Sequence, residues 1–362
     1  MTRLHQDLNQ EMTVRTLSLI HGLKTLLGED DVHVVPTTPI FKEFWVLEKL
    51  SKRVNHLIYI YHNQFTLNLV CHQRFWPTVR RFKHISFFTF HLDHHHVLPL
   101  KSIESSYTRE YICNHRPVLP DVIKSTLALS HFNFILSGVQ DSLQYAQYAL
   151  PCVKVLYIPP HASSNFELII DKPKDVINMY LDMNNNSTWA SNQAVTFILN
   201  VVAKYRELAV HDPSYLPINL FASQPLPLNV SSITDYHVGS SNASRTSFIT
   251  MLTSLHIYAP AVRYGAEGTL IDAQAHGALL LAPRDFVKQE LYPLHNSIVS
   301  SYTERCASRL HAYFNSKTVG EFNTYAKKNI AWAKERFSPE LSAAYYLQAF
   351  DYGGKLEATT TD

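Results

Sequence analysis

The chain has 362 residues, 46% of them hydrophobic, 17% charged and 12% aromatic. That length exceeds what one hydrophobic core usually organises, and the composition excludes a disordered or fibrous chain. The formal net charge of +2, with 20 histidines counted as neutral, gives no argument for nucleic-acid binding from bulk charge, although histidine protonation makes the surface more cationic just below neutral pH.

The opening residues, through Leu27, carry a helical pattern with no glycine before Gly22. A Rossmann-type unit opens with a strand and a Gly-rich turn, so the first strand of such a unit is absent here or lies upstream. Short apolar runs then alternate with amphipathic stretches. Val32–Val35, Leu57–Tyr61, Ile85–Phe90, Phe132–Leu136 and Val153–Ile158 read as strands. Phe41–Leu50, Arg74–Lys83, Val122–Ser130 and Ser142–Ala149 read as helices. Near-continuous apolar strands separated by helices predict a parallel sheet covered on both faces.

At Ile158-Pro159-Pro160-His161-Ala162-Ser163-Ser164, two prolines and small polar residues end a strand and read as an interdomain hinge. The alternation restarts beyond it, with strands expected at Val176–Leu181, Ile218–Ala222, Leu255–Tyr258 and Ala278–Leu281. A helix is expected from Gln193 to Ala209, where Val195, Ile198, Leu199, Val202 and Tyr205 follow three- and four-residue steps. The tail from Ser301 to Phe350 is mostly helical, with Trp332, Phe337, Tyr345 and Phe350 as packing residues. The expected organisation is two α/β halves, 1–160 and 161–330, and a C-terminal helical segment, 331–362, able to cross back to the first half. In such a pair, strand carboxyl ends and helix N-termini line the ligand site. Cys71, Cys113, Cys152 and Cys306 form no CxxC pair, which argues for reduced thiols and against a zinc ribbon or redox motif.

The segment Arg263-Tyr264-Gly265-Ala266-Glu267-Gly268-Thr269-Leu270-Ile271-Asp272-Ala273-Gln274-Ala275-His276-Gly277 carries the most chemical information. Gly265 and Gly268 permit a loop of close approach, a helix follows at about Thr269–His276, and Gly277 is placed to cap it before a buried strand at Ala278. Free N–H groups at the helix start suit a phosphate. Glu267 in the loop and Asp272 on the first helical turns can each accept hydrogen bonds from the vicinal hydroxyls of a ribose or hexose. Acids near a helix start are equally what an ordinary capped βα unit favours.

Gly265 to Ala282 resembles a donor-domain motif of retaining GT-B glycosyltransferases, E-G-x-x-G-x-L-x-E-A-x-A-x-G-x-P-V-x-A. It departs from that motif where the first Glu falls on Tyr264 and the second on Asp272. The spacing of Glu267 and Asp272, with Thr269 and Gly277 in register, is more similar to that of phage DNA α-glucosyltransferases. The resemblance implies that Glu267 lies near the donor sugar and Asp272 at the ribose. Phe90-His91-Leu92-Asp93-His94-His95-His96-Val97-Leu98-Pro99-Leu100 is similar to an Asp-His-x-Val-Leu-x-Leu stretch after the equivalent strand of those enzymes, which makes Asp93 and His94 candidates to face the reacting sugar. Asn185-Asn186-Ser187-Thr188-Trp189 resembles a Thr-Thr-Thr-Trp stretch whose basic flanks hold the diphosphate. Here the flanks are Asn185 and Ala190, so Arg245, Arg263 or Lys174 has to supply the charge. Arg263 is preferred because it ends a strand beside the acid loop.

The resemblance implies a GT-B fold: α/β, two Rossmann-like domains with parallel sheets facing across a cleft, and C-terminal helices. It implies transfer of a sugar with retention from a nucleotide-diphosphate sugar, a UDP-sugar such as UDP-glucose first among them, with no cofactor or metal required. Donor contacts fall on Arg263, Gly265, Gly268, Thr269, Asp272 and Thr188, and catalytic ones on Asp93, His94 and Glu267. The implied acceptor is a hydroxymethylated pyrimidine in double-stranded bacteriophage DNA. A glycan or cell-surface acceptor, or a GT-B-like binding protein inactive through Tyr264, are the alternatives. Arg74, Arg80, Arg81 and Lys83, with Phe75, Trp76 and Phe82, can hold nucleic acid as the acceptor side or simply end a solvated helix. His91, Asp93, His94, His95 and His96 include zinc-donor types, but neighbours on an extended chain point to opposite faces, so at most two or three converge. With no basic, apolar leader and no apolar run of ~18 residues, the expected location is the cytoplasm, that of the host for a viral protein.

Overall fold

The computed structural model describes residues 11–35, 43–60, 70–72, 74–89, 97–98, 100, 119–137, 140–158, 160–162, 172–173, 175–183, 192–226, 233, 235–238, 251–261, 267–287, 289–315 and 319–351. The chain divides into two compact units, one of Leu19–Pro160 with Pro339–Asp362, the other of Met1–Ser18 with His161–Ser338. They are termed the first and second unit below. Helix α1 (Glu11–Leu27) contributes to both, whereas the sequence reading assigns all of 1–160 to one half.

In the first unit, β1 (His56–Ile60), β2 (His84–Thr89), β3 (Phe134–Ser137) and β4 (Lys154–Tyr157) pair in parallel in that order. One face packs on α2 (Glu43–Leu50), α3 (Phe75–Val79), α4 (Leu119–Leu129) and α5 (Gln140–Ala149). Tyr59, Ile85, Phe87, Ile135 and Val155 meet Phe44, Leu47, Phe75, Val79, Leu129 and Ala146 there. The other face, with Phe88, Phe134 and Leu136, is covered by Leu19 and Leu23 of α1 and by Ala343, Tyr346 and Phe350 of a C-terminal helix. Burying strands on both sides is what makes them read as unbroken apolar runs. Each fully buried side chain of this size contributes about 1.5–3 kcal/mol.

Two expectations fail here. Val32–Val35 forms no strand; a four-residue run between the short turn Glu29–Asp31 and Pro36 leaves Val34 54% exposed. The helix expected over Arg74–Lys83 closes at Val79. Pro77 sits in its first turn, where a missing N–H is harmless. The chain then turns through the Phe82 N–H to Val79 carbonyl bond, 3.0 Å, into β2.

In the second unit, β5 (Ile177–Asp182), β6 (Ile218–Ala222), β7 (His237–Val238), β8 (Ile257–Pro260), β9 (Leu279–Pro283) and β10 (Ser297–Ser300) form a parallel sheet in the order β10-β9-β8-β5-β6-β7. Alternation along β8 divides the layers. Ile257 and Ala259 face α6 (Asn192–His211) and α8 (Thr303–Asn315). Tyr258 faces the opposite layer, which holds α7 (Glu267–Ala275) and α9 (Val319–Phe337). The last helix, α10 (Pro339–Asp351), belongs to the first unit. The stripe expected on α6 is buried at Val195, Ile198, Leu199, Val202 and Tyr205. β7 and β10 escape the sequence reading because one spans two residues and the other is Ser297-Ile298-Val299-Ser300, with serine at each end.

Candidate functional site

The strand order of the second unit reverses between β5 and β8. The crevice outside the carboxyl ends at such a reversal is where open α/β sheets bind ligands. Asp182 ends β5, Pro260 ends β8, and the two are register partners. The Ala261 N–H donates to the Asp182 carbonyl at 2.8 Å, and the Tyr258 hydroxyl donates to Asp182 Oδ2 at 2.6 Å, both groups buried. Ser223, beyond β6, gives its N–H to the Leu181 carbonyl at 3.0 Å, and its hydroxyl accepts from the Met183 N–H at 2.8 Å. Burial first, and the charge of Asp182 second, push the Tyr180 phenol up. The sequence reading missed Asp182. Its signal is an acid that ends an apolar strand one residue before the run Asn184-Asn185-Asn186.

Two of the segments singled out from sequence leave from this point, 184–190 after β5 and 262–266 after β8. Thr188, Asn185, Ala190, Arg263, Tyr264 and Gly265 lie outside the described residues, as do Lys174 and Arg245. The structure thus brings together the anchor points of both segments.

Helix α7 begins at Glu267 rather than Thr269, so Glu267 is helical and not part of a loop. Positions 267 and 272 then differ by about 140° around the axis and about 7.5 Å along it. From Leu270 to Ala275 every residue of α7 is buried. A helix buried on all sides has to supply partners for its polar groups. The Gln274 amide donates to the Leu291 carbonyl at 2.8 Å. His276 Nδ1 lies 2.7 Å from the Asp272 carbonyl, which only accepts, so the ring nitrogen donates. Gly277, at φ +77, ends the helix. Its N–H reaches the Gln274 carbonyl at 2.9 Å and the Ala278 N–H reaches the Ala273 carbonyl at 3.0 Å, the paired bonds of a Schellman cap.

Asp272 is paired with Arg15 of α1 at 3.2 Å, each side chain 2% exposed. Arg15 also donates to the His161 carbonyl, and His161 Nε2 donates to the Arg15 carbonyl at 2.8 Å. Burial and then the Arg15 charge pull His161 down to about 4. Ser18 extends the clamp by donating to the Ala162 carbonyl at 2.9 Å. The sequence reading expects Asp272 as an acid offered to a ligand; in the structure it is buried beside a cation from α1. Arg15 was missed because nothing local marks a partner so distant in the chain.

In the first unit, β2 ends at the buried Thr89. Asp93 and His94 follow it outside the described residues, together with His91, His95 and His96. The chain is fixed again at Val97 and Leu98, where the Tyr145 hydroxyl donates to the Val97 carbonyl at 2.8 Å and the Leu98 N–H to Thr126 Oγ1 at 2.9 Å. Arg74 precedes α3, whereas Arg80, Arg81 and Lys83 lead into the amino end of β2. A six-residue strand is roughly 20 Å long. Arg80, Arg81 and Lys83 are therefore at the opposite end of β2 from Thr89, its last residue. Arg81 is ion-paired with Glu48.

Among the described residues no group of three or more His, Cys, Asp or Glu is placed to hold a metal, and no helix is long and apolar enough to cross a membrane. No protein-family model and no curated protein matches the chain. Solved structures do match its fold. A glycosyltransferase from Rickettsia africae superposes with a TM-score of 0.55 at 10% identity, over 95% of both chains. A trehalose 6-phosphate synthase from Burkholderia multivorans gives 0.50 at 11% identity, over 95% of this chain and 84% of its own. The N-terminal domain of a trehalose-6-phosphate phosphatase from Candida albicans gives 0.50 at 10% identity, over 92% and 81%. The chain has the GT-B fold, built from two Rossmann-like units with C-terminal helices.

Proposed function

We propose that this chain is a glycosyltransferase that moves a sugar, with retention at the anomeric carbon, from a nucleotide-diphosphate sugar bound by the second unit. The observation that carries this reading is the place of the 263–277 segment. β8 ends at the reversal of strand order, and α7, which starts at Glu267, is the next described helix along the chain. The fold shared with a glycosyltransferase over 95% of both chains supports it.

In this scheme Arg263 and the first amides of α7, at Glu267, Gly268 and Thr269, balance the diphosphate. Gly265 and Gly268 let backbone approach the donor, Thr188 contacts it from the loop beyond β5, and Glu267 accepts from hydroxyls of the sugar. Asp272 is assigned to the ribose, which requires a ribose hydroxyl to enter the enclosed pair it forms with Arg15. In the first unit Asp93 positions the acceptor hydroxyl and His94 relays its proton. The bond from the anomeric carbon to the diphosphate oxygen breaks, and the bond to the acceptor oxygen forms on the same face. The acceptor proton passes by way of His94 to the departing diphosphate. A nucleoside diphosphate leaves as an anion, so fixed positive charge and positioning matter more than a strong acid. The scheme uses no metal or cofactor. The donor is a UDP-sugar, UDP-glucose first. The acceptor is a hydroxymethylated pyrimidine in phage DNA, on the resemblance of the short segments around Asp93, Thr188 and Asp272.

The test is incubation with UDP-glucose and related donors, with and without hydroxymethylated duplex DNA, following nucleoside diphosphate release and the anomeric configuration of the product by NMR. Transfer with an unchanged anomer supports the reading. An inverted anomer overturns retention, and transfer to a glycan but not to DNA overturns the acceptor.

A further inference from the structure

Four turns enter the first unit's sheet side by side at its amino edge: residues 51–55 into β1, 80–83 into β2, 130–133 into β3 and 151–153 into β4. Their adjacency is fixed by backbone bonds. The His84 N–H donates to the Asn55 carbonyl at 3.0 Å, and the Asn133 N–H to the Ile85 carbonyl at 2.9 Å. Register sets His56 beside His84 and Phe134 beside Lys154. These turns, with the strand residues they lead into, carry Lys52, Arg53, Arg80, Arg81, Lys83 and Lys154, all exposed, and contain no Asp or Glu. His131 is also exposed there, and the rings of His56 and His84 lie 4.7 Å apart. Glu48 of α2 is paired with Arg81 of this edge. With Glu48 counted, this edge holds six Lys or Arg against one acid, an excess of five in a chain whose whole excess is two. The positive charge is therefore gathered here while the rest of the chain is net negative.

We propose that this amino edge, at the end of the sheet opposite the strand carboxyl ends, binds the phosphodiester backbone of a nucleic acid. Four strands spaced about 4.8 Å apart make an edge of roughly 14 Å, which matches about four nucleotides at ~3.4 Å per step. The exposed groups are cations and amides, including Asn55 and Asn133, the donors that phosphate oxygens accept. A bilayer surface needs apolar side chains to insert. The exposed side chains of these turns are polar apart from Pro151 and Cys152. Trp45, on neighbouring α2, already has Lys49 Nζ 3.5 Å from its ring centroid. The surface needs no sugar nucleotide and does not rest on the transferase reading. It puts to use cations that lie at the opposite end of β2 from Thr89.

The test is fluorescence anisotropy with a labelled, unmodified DNA duplex, which cannot accept a sugar, titrated at several salt concentrations. The wild-type chain is expected to bind with a slope of log K against log salt near −5, from about −0.9 per phosphate contact. The variant R53E/R80E/K83E is expected to lose on the order of 500-fold at ~0.1 M salt and to flatten the slope by about 3. Lys327→Glu, exposed on α9 of the second unit, is expected to bind as wild type. The milder R53Q/K83Q reports the same loss in part if the triple variant melts early. Equal affinity of wild type and the edge variants overturns the proposal, as does binding to anionic lipid vesicles with none to the duplex. Donor turnover, measured apart, reports the transfer reading alone.

Discussion

Arg15 and Asp272 lie 257 positions apart and meet at 3.2 Å with both side chains 2% exposed. Such a pair adds little net stability relative to apolar residues, but breaking it strands a buried charge and costs about 3–5 kcal/mol. Arg15→Met and Asp272→Leu are each expected to destabilise the chain by at least about 3 kcal/mol. The double variant R15M/D272L is expected to lie closer to wild type than either single one. Urea denaturation of the four proteins closes the cycle. Additive single effects contradict a direct interaction.

The same clamp makes stability depend on pH. His161 is held down to about 4 by burial and by Arg15, and His256 to about 4 by burial and by Lys172. His256 is neutral with a fixed tautomer: Nε2 donates to the Pro173 carbonyl at 3.0 Å and Nδ1 accepts from the Asn178 N–H at 3.1 Å. The unfolded chain takes up both protons below the ordinary value of 6.5, while the folded chain refuses them until about 4. Stability is therefore full above that ordinary value and is lost as pH falls toward 4, by up to about 3 kcal/mol per histidine. Melting temperatures across this window are expected to fall more steeply for wild type than for His161→Gln or His256→Gln. Equal slopes contradict the assignment.

Gly277 combines a φ of +77 with close contact. A Cβ there would meet Ala326 Cβ at 2.8 Å and its Cα at 3.2 Å. Gly277→Ala is expected to cost about 2–4 kcal/mol, from the left-handed backbone together with overpacking. Adding Ala326→Gly is expected to relieve only the overpacking part. Thermal denaturation checks this; a loss of less than ~0.5 kcal/mol, the range of ordinary surface substitutions, contradicts the cap geometry.

The Tyr258 hydroxyl fixes Asp182 at the strand reversal. Tyr258→Phe is expected to cost about 1.5–3 kcal/mol through loss of a hydrogen bond to a buried charged group and to raise KM for the donor more than it lowers kcat. For Asp272→Ala the proposed donor role predicts reduced turnover with the nucleotide sugar. Steady-state kinetics decide both, and full turnover by Asp272→Ala removes that residue from the donor site.

Much of the architecture was legible because parallel strands buried on both faces must be apolar runs. Ile218–Ala222, the stripe on α6 and the glycine closing α7 needed no tertiary information. Val32–Val35 misled because apolar content alone does not supply a sheet partner. Ser297–Ser300 was hidden by its polar ends. At the candidate site, the segment around Glu267 announced itself through its glycines. The enclosure of Asp272 did not, because it depends on α1 and on an α7 that is covered on every side. Strand direction, which sets Arg80, Arg81 and Lys83 at the opposite end of β2 from Thr89, was implicit in the parallel-sheet expectation and follows once α3 is seen to lead into the amino end of β2.

The most direct test of the central claim is a thermal-shift titration of the chain with nucleoside diphosphates and their sugars. At a hundredfold excess over Kd a bound donor stabilises the folded state by about 2.7 kcal/mol. The account predicts a saturable rise in melting temperature with a UDP-sugar, weakened by Glu267→Gln. A panel of nucleotide sugars that leaves the melting temperature unmoved at millimolar concentration contradicts it.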